Sequence, residues 1–235
     1  MYTFDSRVRY SECDCEGKLT TASLLNYFQD CSTFQSEDLG LGFQYMREVE
    51  MVWVLSYWQI VVERYPNLGE KIQIGTLPYE FKRFLGFRNF FMRTEKGEYL
   101  AKANSIWSLL DVNTGLPVLP RQEMLEGFAV EEQLSMEYAP RKVLVPRNGV
   151  YREKIVVKKQ HLDTNHHVNN GQYVDLALQY LPEDVGISQL RVEYKQQAFL
   201  EDELVPYVAE GDGEITVAFM DRSDKPYAVV EAKIR

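Results

Sequence analysis

Histidine is scarce in this chain: only three occur among 235 residues, and all three lie between positions 161 and 167. Cysteine is equally rare, because the sequence holds only Cys13, Cys15 and Cys31. The spacing of Cys13 and Cys15 does not fit a zinc knuckle, and an odd count does not fit a framework of disulfides. We therefore expect the cysteines to be reduced structural thiols.

The sequence also lacks a long hydrophobic run. No stretch approaches the roughly 18 consecutive apolar residues of a membrane helix, and the opening MYTFDSRVRY carries charges where a secretory signal needs an apolar segment. Acidic residues outnumber basic ones, and the net charge of −9 argues against nucleic acid as a partner. A hydrophobic content of 45% argues against disorder. We expect a folded cytoplasmic protein without a membrane span.

What the chain does contain is an internal repeat. The segment VRYSECDCEGKLTTASLLNYF, which begins at Val8, aligns with VKKQHLDTNHHVNNGQYVDLA, which begins at Val157. The offset of 149 residues also pairs Asp14 with Asp163. Each copy passes from an extended stretch through an Asp-containing turn into a helix, which indicates two related halves.

Helix and strand signals follow the turn in both copies. Capping residues predict a first helix that opens at Thr20 or Thr21 and ends at Gly40, and a second helix that opens near Asn169 or Asn170. Runs of β-branched and aromatic residues, such as MVWVLSYWQIVV and LRVEYKQQAF, then predict several strands in each half. One helix followed by antiparallel strands, twice over, predicts an α+β fold in which a sheet wraps a helix.

The three histidines belong to the run HLDTNHHVNN, residues 161–170. If this run is extended, alternate side chains share a face, and Asp163, Asn165 and His167 point the same way. With the N–H groups of the following helix, they would supply a base, an amide donor and an imidazole, the groups that acyl transfer requires. The plainer interpretation is a polar turn with an asparagine helix cap.

Two other kinds of site stay open at this point. His161 is near enough in sequence to suggest a metal site, but the adjacent His166 and His167 cannot both face one ion from an extended chain. A cysteine–histidine pair would require one of the cysteines to arrive from the first copy.

The segment D-x-N-x-H-V-N-N followed by a helix, together with the repeat, resembles the plant and bacterial fatty acyl-acyl carrier protein thioesterases. The resemblance extends from RYSECDCEGKLT to RVEYKQQAFLEDE. It implies two tandem hotdog domains, each an antiparallel sheet wrapped around a long helix. It also implies hydrolysis of fatty acyl-acyl carrier protein thioesters in fatty acid biosynthesis, with free fatty acid released and with no cofactor or metal. Asp163, Asn165 and His167 fall on the family's catalytic residues.

The chain departs from the plant pattern at one place. Plant members carry Glu-Cys after an E-Y-basic stretch, whereas EYKQQA places Gln197 and Ala198 there. Alanine has no nucleophile, so the resemblance favours attack by water, or by the carboxylate of Asp163, over an acyl-cysteine intermediate. Gln197 joins the catalytic candidates because it could hold a water by hydrogen bonds.

The predicted domains are residues 1–120 and residues 149–235, with a linker at residues 121–148. In the first copy, Glu16 and Lys18 stand where Asn165 and His167 stand in the second. We therefore predict that the first half binds the acyl chain and holds no catalytic residue.

A basic segment is the predicted docking surface for acyl carrier protein, since such carriers are strongly acidic. It opposes a single acid, Glu153, with seven basic residues: Arg141, Lys142, Arg147, Arg152, Lys154, Lys158 and Lys159. A solvated strand edge protected by lysines is the plainer interpretation. An acyl-coenzyme A thioesterase of the same fold and a non-catalytic acyl- or carrier-binding module are the alternative functions, and the protein could be a monomer or a homodimer.

Overall fold

The computed structural model describes residues 1–163, 165–182 and 185–235, so Thr164 of the histidine-containing run lies outside the described residues. The helices are α1 (Thr21–Asp38), α2 (Phe43–Glu48), α3 (Gln122–Gly127) and α4 (Asn170–Leu178). The strands are β1 (Tyr2–Arg7), β2 (Met51–Val62), β3 (Lys71–Lys82), β4 (Leu85–Thr94), β5 (Tyr99–Asp111), β6 (Val150–Tyr151), β7 (Ile155–Val156), β8 (Ile187–Tyr194), β9 (Glu203–Gly211), β10 (Glu214–Met220) and β11 (Pro226–Ile234). Of the helices described, none is long and apolar enough to cross a membrane.

The chain forms two compact units. The first comprises Met1–Ser56 and Val62–Tyr138, and the second comprises Tyr57–Val61 and Ala139–Arg235. In the first unit the strand order is β1-β3-β4-β5-β2. In the second unit the order is β6-β9-β10-β11-β8, with β7 also paired to β9 and with Tyr57–Val61 paired to β8. If the short strand β7 is not counted, each unit joins its first, third, fourth, fifth and second strands in the same sequence, as expected for a repeat.

Helix α1 of the first unit begins and ends as the sequence predicts. The side chain of Thr20 caps it by accepting the Ser23 N–H at 3.2 Å, and Gly40 takes a positive φ of 69° just beyond its last turn. Its buried face includes Phe28, whose ring lies 5.5 Å from that of Phe90 on β4. Packing of this apolar face against the sheet holds the first unit together.

Helix α4 takes the same place in the second unit and is half as long, with 9 residues against 18. The Asn169 side chain caps it by accepting the Gly171 N–H at 2.8 Å, so the predicted start is confirmed. The buried ring of Tyr173 packs 5.8 Å from that of Phe219 on β10.

Strand β8 ends earlier than predicted, which corrects the expectation that LRVEYKQQAF forms one strand as far as Gln197. Beyond Tyr194 the backbone N–H groups of Lys195 and Gln196 both donate to the carbonyl of Tyr227, at 2.8 Å and 3.2 Å. Two donors on one acceptor break the regular ladder, so the chain leaves the sheet. Alternation along a strand therefore does not decide which way Gln197 points.

A buried ion pair fixes β8 in the second unit. The guanidinium of Arg191 lies 2.7 Å from the carboxylate of Glu231 on β11, and the two side chains are 11% and 8% exposed. The same guanidinium donates to the carbonyl oxygens of Pro140 and Lys142. This network fastens the start of the basic segment to the sheet.

Candidate active site

The run that contains Asp163, Asn165 and His167 is a tight hairpin loop and not the extended stretch assumed from the sequence. Leu162 and Val168 form an isolated antiparallel bridge at its base, and the Asp163 N–H donates to the carbonyl of His167 at 2.8 Å. His166 turns the chain with a positive φ of 63°. The alternation argument therefore does not hold, and the side chains are placed by the loop itself.

The carboxylate of Asp163 organises this loop. Its Oδ1 accepts the backbone N–H of Asn165 at 2.8 Å and that of His167 at 3.2 Å. Asp163 is half-buried, whereas Asn165 is exposed. One carboxylate oxygen thus fixes the backbone of both neighbouring candidates, and the amide of Asn165 faces solvent, where a ligand can meet it.

The segment that follows β8 runs beside the loop and carries Gln197. The Val168 N–H donates to the carbonyl of Ala198 at 2.9 Å, and the ring of Phe199 lies 4.9 Å from that of His167 in an edge-on arrangement. Gln197 is exposed next to this junction. The structure thus brings the segment of Gln197 to the loop of the other three candidates.

Phe199 is a residue that the sequence reasoning missed. It is 49% exposed although it is aromatic, and it restrains the imidazole of His167. Its position directly after the QQA stretch was the available signal.

The two residues that depart from the plant pattern, Gln197 and Ala198, differ in exposure. Ala198 is fully buried, while Gln197 before it is exposed. Gln197 is therefore the one of the two whose side chain faces solvent.

The first unit contains an equivalent loop with the same hydrogen bonds. The Oδ1 of Asp14 accepts the N–H groups of Glu16 and Lys18, both at 2.9 Å, and the Asp14 N–H donates to the carbonyl of Lys18 at 2.8 Å. Gly17 takes a positive φ of 73° at the place of His166. The predicted offset of 149 residues therefore holds at the level of single hydrogen bonds.

The two loops differ in the side chains they present. Glu16 and Lys18 pair with each other at 2.7 Å on the surface of the first unit, and this contact raises the pKa of Lys18. The second loop carries Asn165 and His167 at the same positions. The aspartate is therefore a shared architectural element, and the amide and imidazole are what distinguish the second loop.

The geometry of the described residues does not favour the two other kinds of site considered from the sequence, a metal site and a cysteine–histidine pair. His161 is buried and its Nδ1 accepts the Lys158 N–H at 3.1 Å, so that nitrogen is occupied by the backbone. Within the described parts of the chain, no three His, Cys, Asp or Glu residues are arranged to hold a metal. Burial raises the pKa of the Cys31 thiol to about 12, which leaves it an unreactive thiol at neutral pH.

The N-terminus of α4 offers fewer donors than the sequence suggested. The Gly171 N–H is taken by the Asn169 side chain, and the Gln172 N–H donates to the Asn169 carbonyl at 2.9 Å. The amide of Asn165 is therefore the better candidate for a donor to a substrate oxygen.

All seven basic residues of the predicted docking surface are exposed. Lys154 is held at 2.6 Å by Glu203, whose pKa is lowered by Lys154 and Arg222. Val150 and Tyr151 lie in the same segment and are 56% and 50% exposed, so the surface combines positive charge with apolar area.

Two units that each pack a main helix, α1 or α4, against an antiparallel sheet with the same strand order define a tandem pair of hotdog domains. Residues 1–128 match the family model for the acyl-ACP thioesterase N-terminal domain, and residues 147–235 match that for the C-terminal domain, where ACP is acyl carrier protein. The chain therefore belongs to the acyl-ACP thioesterase family.

Solved structures confirm the fold. An acyl-ACP thioesterase from Bacteroides thetaiotaomicron is 23% identical to this chain with a TM-score of 0.90. The match covers 99% of this chain and 97% of the Bacteroides chain. The 12:0-ACP thioesterase from Umbellularia californica is 19% identical with a TM-score of 0.87 and the same coverage.

The curated relatives are longer than this chain, which matches only part of each of them. A chloroplastic acyl-[acyl-carrier-protein] hydrolase of Cuphea viscosissima is 26% identical over 215 residues, which is 84% of this chain and 51% of the relative. A chloroplastic palmitoyl-acyl carrier protein thioesterase of Gossypium hirsutum is 25% identical over 207 residues, 81% of this chain and 50% of the relative. The chain spans about half the length of these curated relatives.

The paired loops predict that one aspartate can be changed with much greater effect than the other. In Asp163→Asn and Asp14→Asn the new amide oxygen can still accept both N–H groups, so the loop survives while the charge is lost. We expect Asp163→Asn to lower acyl-thioester hydrolysis by about 10²-fold or more and Asp14→Asn to leave it within a few-fold. Amide exchange at residues 165 and 167 checks that the loop is intact, and equal losses in both variants would contradict the assignment.

Proposed function

We propose that this chain hydrolyses fatty acyl-acyl carrier protein thioesters and releases free fatty acid. The observation that carries the proposal is the pair of equivalent loops, of which the second alone presents an amide and an imidazole around its aspartate. Membership of the acyl-ACP thioesterase family supports the same reaction.

In the proposed chemistry the two oxygens of the Asp163 carboxylate have different roles. Its Oδ1 holds the loop, and its other oxygen is the base that removes a proton from water, or the nucleophile that attacks directly. In the first route the water oxygen bonds to the thioester carbon and the carbonyl oxygen becomes an oxyanion. In the second route the carboxylate oxygen bonds to that carbon, the thiolate leaves, and water hydrolyses the resulting acyl anhydride to fatty acid and free Asp163. Asn165 donates a hydrogen bond to that oxyanion, a contact that strengthens as charge develops.

His167 and Gln197 complete the proposal. His167, restrained by Phe199, orients the water or protonates the departing sulfur. A strong acid is hardly needed, because a thiolate is a weak base and leaves readily when the C–S bond breaks. Gln197 can accept from the water and donate to Asp163, but it cannot take the proton.

The division of labour between the halves, with acyl-chain binding in residues 1–120 and catalysis in residues 149–235, is part of this proposal. The surface pair of Glu16 and Lys18 supports it, because neither side chain can act as the amide or imidazole of the second loop.

The direct test compares three dodecanoyl thioesters that differ only in the thiol: acyl carrier protein, coenzyme A and N-acetylcysteamine. We expect release of free thiol from all three, with the highest kcat/KM for the carrier. Faster hydrolysis of the coenzyme A ester would instead identify an acyl-coenzyme A thioesterase. Hydrolysis of none would leave a non-catalytic acyl- or carrier-binding module.

Carrier docking is proposed at the basic segment defined above. Six of its basic side chains, all but Lys154, form no ion pair within 4.0 Å with the described residues, so their charge is available to an acidic partner. The exposed side chains of Val150 and Tyr151 add apolar contact area beside them.

Charge reversal separates docking from chemistry. We expect Lys158→Glu with Lys159→Glu to raise KM for the carrier-linked thioester far more than for the N-acetylcysteamine ester, because only the carrier needs the positive surface. The matched control is Lys82→Glu with Arg83→Glu, an adjacent exposed basic pair formed by the last residue of β3 and the first residue after it. Equal effects on the two substrates, or equal effects of the two double variants, would count against docking at this segment.

A further inference from the structure

One buried side-chain hydroxyl in the second unit has no hydrogen-bond partner. Tyr173 lies on α4 and is 3% exposed, and its ring packs 6.0 Å from that of Tyr194 and 5.8 Å from that of Phe219. Of the buried side-chain nitrogen and oxygen atoms in the described residues, its hydroxyl oxygen alone has no partner. A phenylalanine would fill the same space without the cost of taking a hydroxyl out of water. The hydroxyl therefore needs an explanation beyond packing.

The backbone N–H of Ala198 is a group that this hydroxyl can bind. Burial raises the pKa of Tyr173, and the Ala198 N–H opposes that rise, which places this N–H beside the hydroxyl oxygen. Ala198 is fully buried, and its N–H forms no hydrogen bond with the described residues. The two groups stop short of hydrogen-bond geometry in this structure. A buried donor and a buried acceptor without partners therefore lie side by side.

The contacts on either side of the Ala198 N–H are already made. The Ala198 carbonyl joins this segment to the loop of Asp163 by accepting the Val168 N–H at 2.9 Å. The next N–H, that of Phe199, donates to the carboxylate of Asp202 at 2.8 Å. A hydrogen bond to the Ala198 N–H would therefore fix the remaining peptide group, the one that joins it to the residue before.

That peptide group lies between two side chains of the candidate site. Gln197 precedes Ala198 and is exposed, and Phe199 follows it with its ring 4.9 Å from that of His167. A rotation of the peptide would move the side chains on both sides of it. Because a misplacement of about 1 Å can lower a rate by about 10²-fold, a contact that holds this peptide can affect turnover without touching the substrate.

The first unit contains an equivalent segment, which follows β2. There the Leu19 N–H donates to the Pro66 carbonyl at 2.9 Å, and the Asn67 N–H donates to the carboxylate of Glu70 at 3.0 Å. The same two bonds surround Ala198 in the second unit. Pro66 therefore takes the place of Ala198.

Neither the N–H nor the hydroxyl has a counterpart in the first unit. Proline has no backbone N–H, so Pro66 cannot donate. Leu24 takes the place of Tyr173, because each is the fourth residue of its helix and the two are 149 positions apart. The donor and the hydroxyl are thus both present in the unit that carries the amide and the imidazole, and both are replaced in the other.

We propose that Tyr173 is a positioning residue, whose hydroxyl accepts the Ala198 N–H during the reaction and so holds Gln197 and Phe199 in place. This inference rests on the proposed hydrolysis and adds to it a residue that does not touch the substrate. Only a small shift is needed, since the two groups are already adjacent. Hydrogen bonds of an active site are often long without substrate and tighten when it binds.

The first test compares Tyr173→Phe with Tyr57→Phe. Tyr57 is also fully buried in the second unit, and its hydroxyl accepts from Arg191 at 3.4 Å. We expect Tyr173→Phe to lower kcat by about tenfold for both the carrier-linked dodecanoyl thioester and the N-acetylcysteamine ester, with KM within about twofold. The thermal unfolding temperature should not fall, because the hydroxyl has no partner to lose. Tyr57→Phe should keep kcat within about twofold of the unaltered protein.

The second test removes the N–H in place of the hydroxyl. Ala198→Pro gives the second unit the residue that the first unit has at Pro66. If the hydroxyl acts through this N–H, adding Tyr173→Phe to Ala198→Pro should cause no further loss of kcat. The comparison in the first test does not depend on whether Ala198→Pro folds.

Four outcomes would overturn the proposal. One is a kcat of Tyr173→Phe within about twofold of the unaltered value, and another is an equal fall in Tyr57→Phe. The third is a fall in kcat accompanied by a loss of thermal stability, which would indicate a structural role. The fourth is losses that multiply when Tyr173→Phe and Ala198→Pro are combined. Failure of the unaltered protein to hydrolyse any thioester is a different result, since it overturns the proposed hydrolysis and with it the role of Tyr173.

Discussion

The candidate site depends on one interaction, the acceptance of two backbone N–H groups by a single carboxylate oxygen. Asp163 holds Asn165 and His167 in this way, and Asp14 holds Glu16 and Lys18. A charged acceptor makes stronger hydrogen bonds than a neutral one, so the loop is a rigid platform in both units. The helix that follows each loop begins 7 residues after its aspartate, at Thr21 and at Asn170.

Because the platform is shared, it does not by itself define a reaction. In the proposed reaction the chemistry lies in the two side chains that the loop presents, which form an ion pair in the first unit and are an amide and an imidazole in the second. The neighbouring segment adds the exposed Gln197 and the ring of Phe199, and Ala198 between them is buried. The two units therefore share the architecture of the loop, whereas the amide and the imidazole occur in the second loop.

Features fixed by local contacts could be predicted from the sequence. The caps Thr20 and Asn169 act within three residues of their own position, so both helix starts were predicted to within one residue. The strands after each helix were likewise predicted from local runs of β-branched and aromatic residues. The loop was predicted wrongly as extended, although Gly17 carried the missing signal: its positive φ is shared by His166 at the equivalent position.

Features fixed by distant contacts could not be predicted. The end of β8 before Gln197 depends on the Tyr227 carbonyl, which lies more than thirty residues away in sequence. The hydrogen bonds of the buried guanidinium of Arg88 on β4 depend on Gln35 of α1 and Thr76 of β3. No pattern along the chain reveals either.

The most direct measurement transfers the first unit's side chains to the second loop. In the double variant Asn165→Glu with His167→Lys, the backbone N–H groups still reach Asp163, so amide exchange at both positions should match the unaltered protein. Hydrolysis of dodecanoyl-acyl carrier protein should fall by at least about 10²-fold, because the oxyanion donor and the imidazole are gone. Hydrolysis within a few-fold of the unaltered rate, with the loop intact, would show that these side chains do not carry the chemistry.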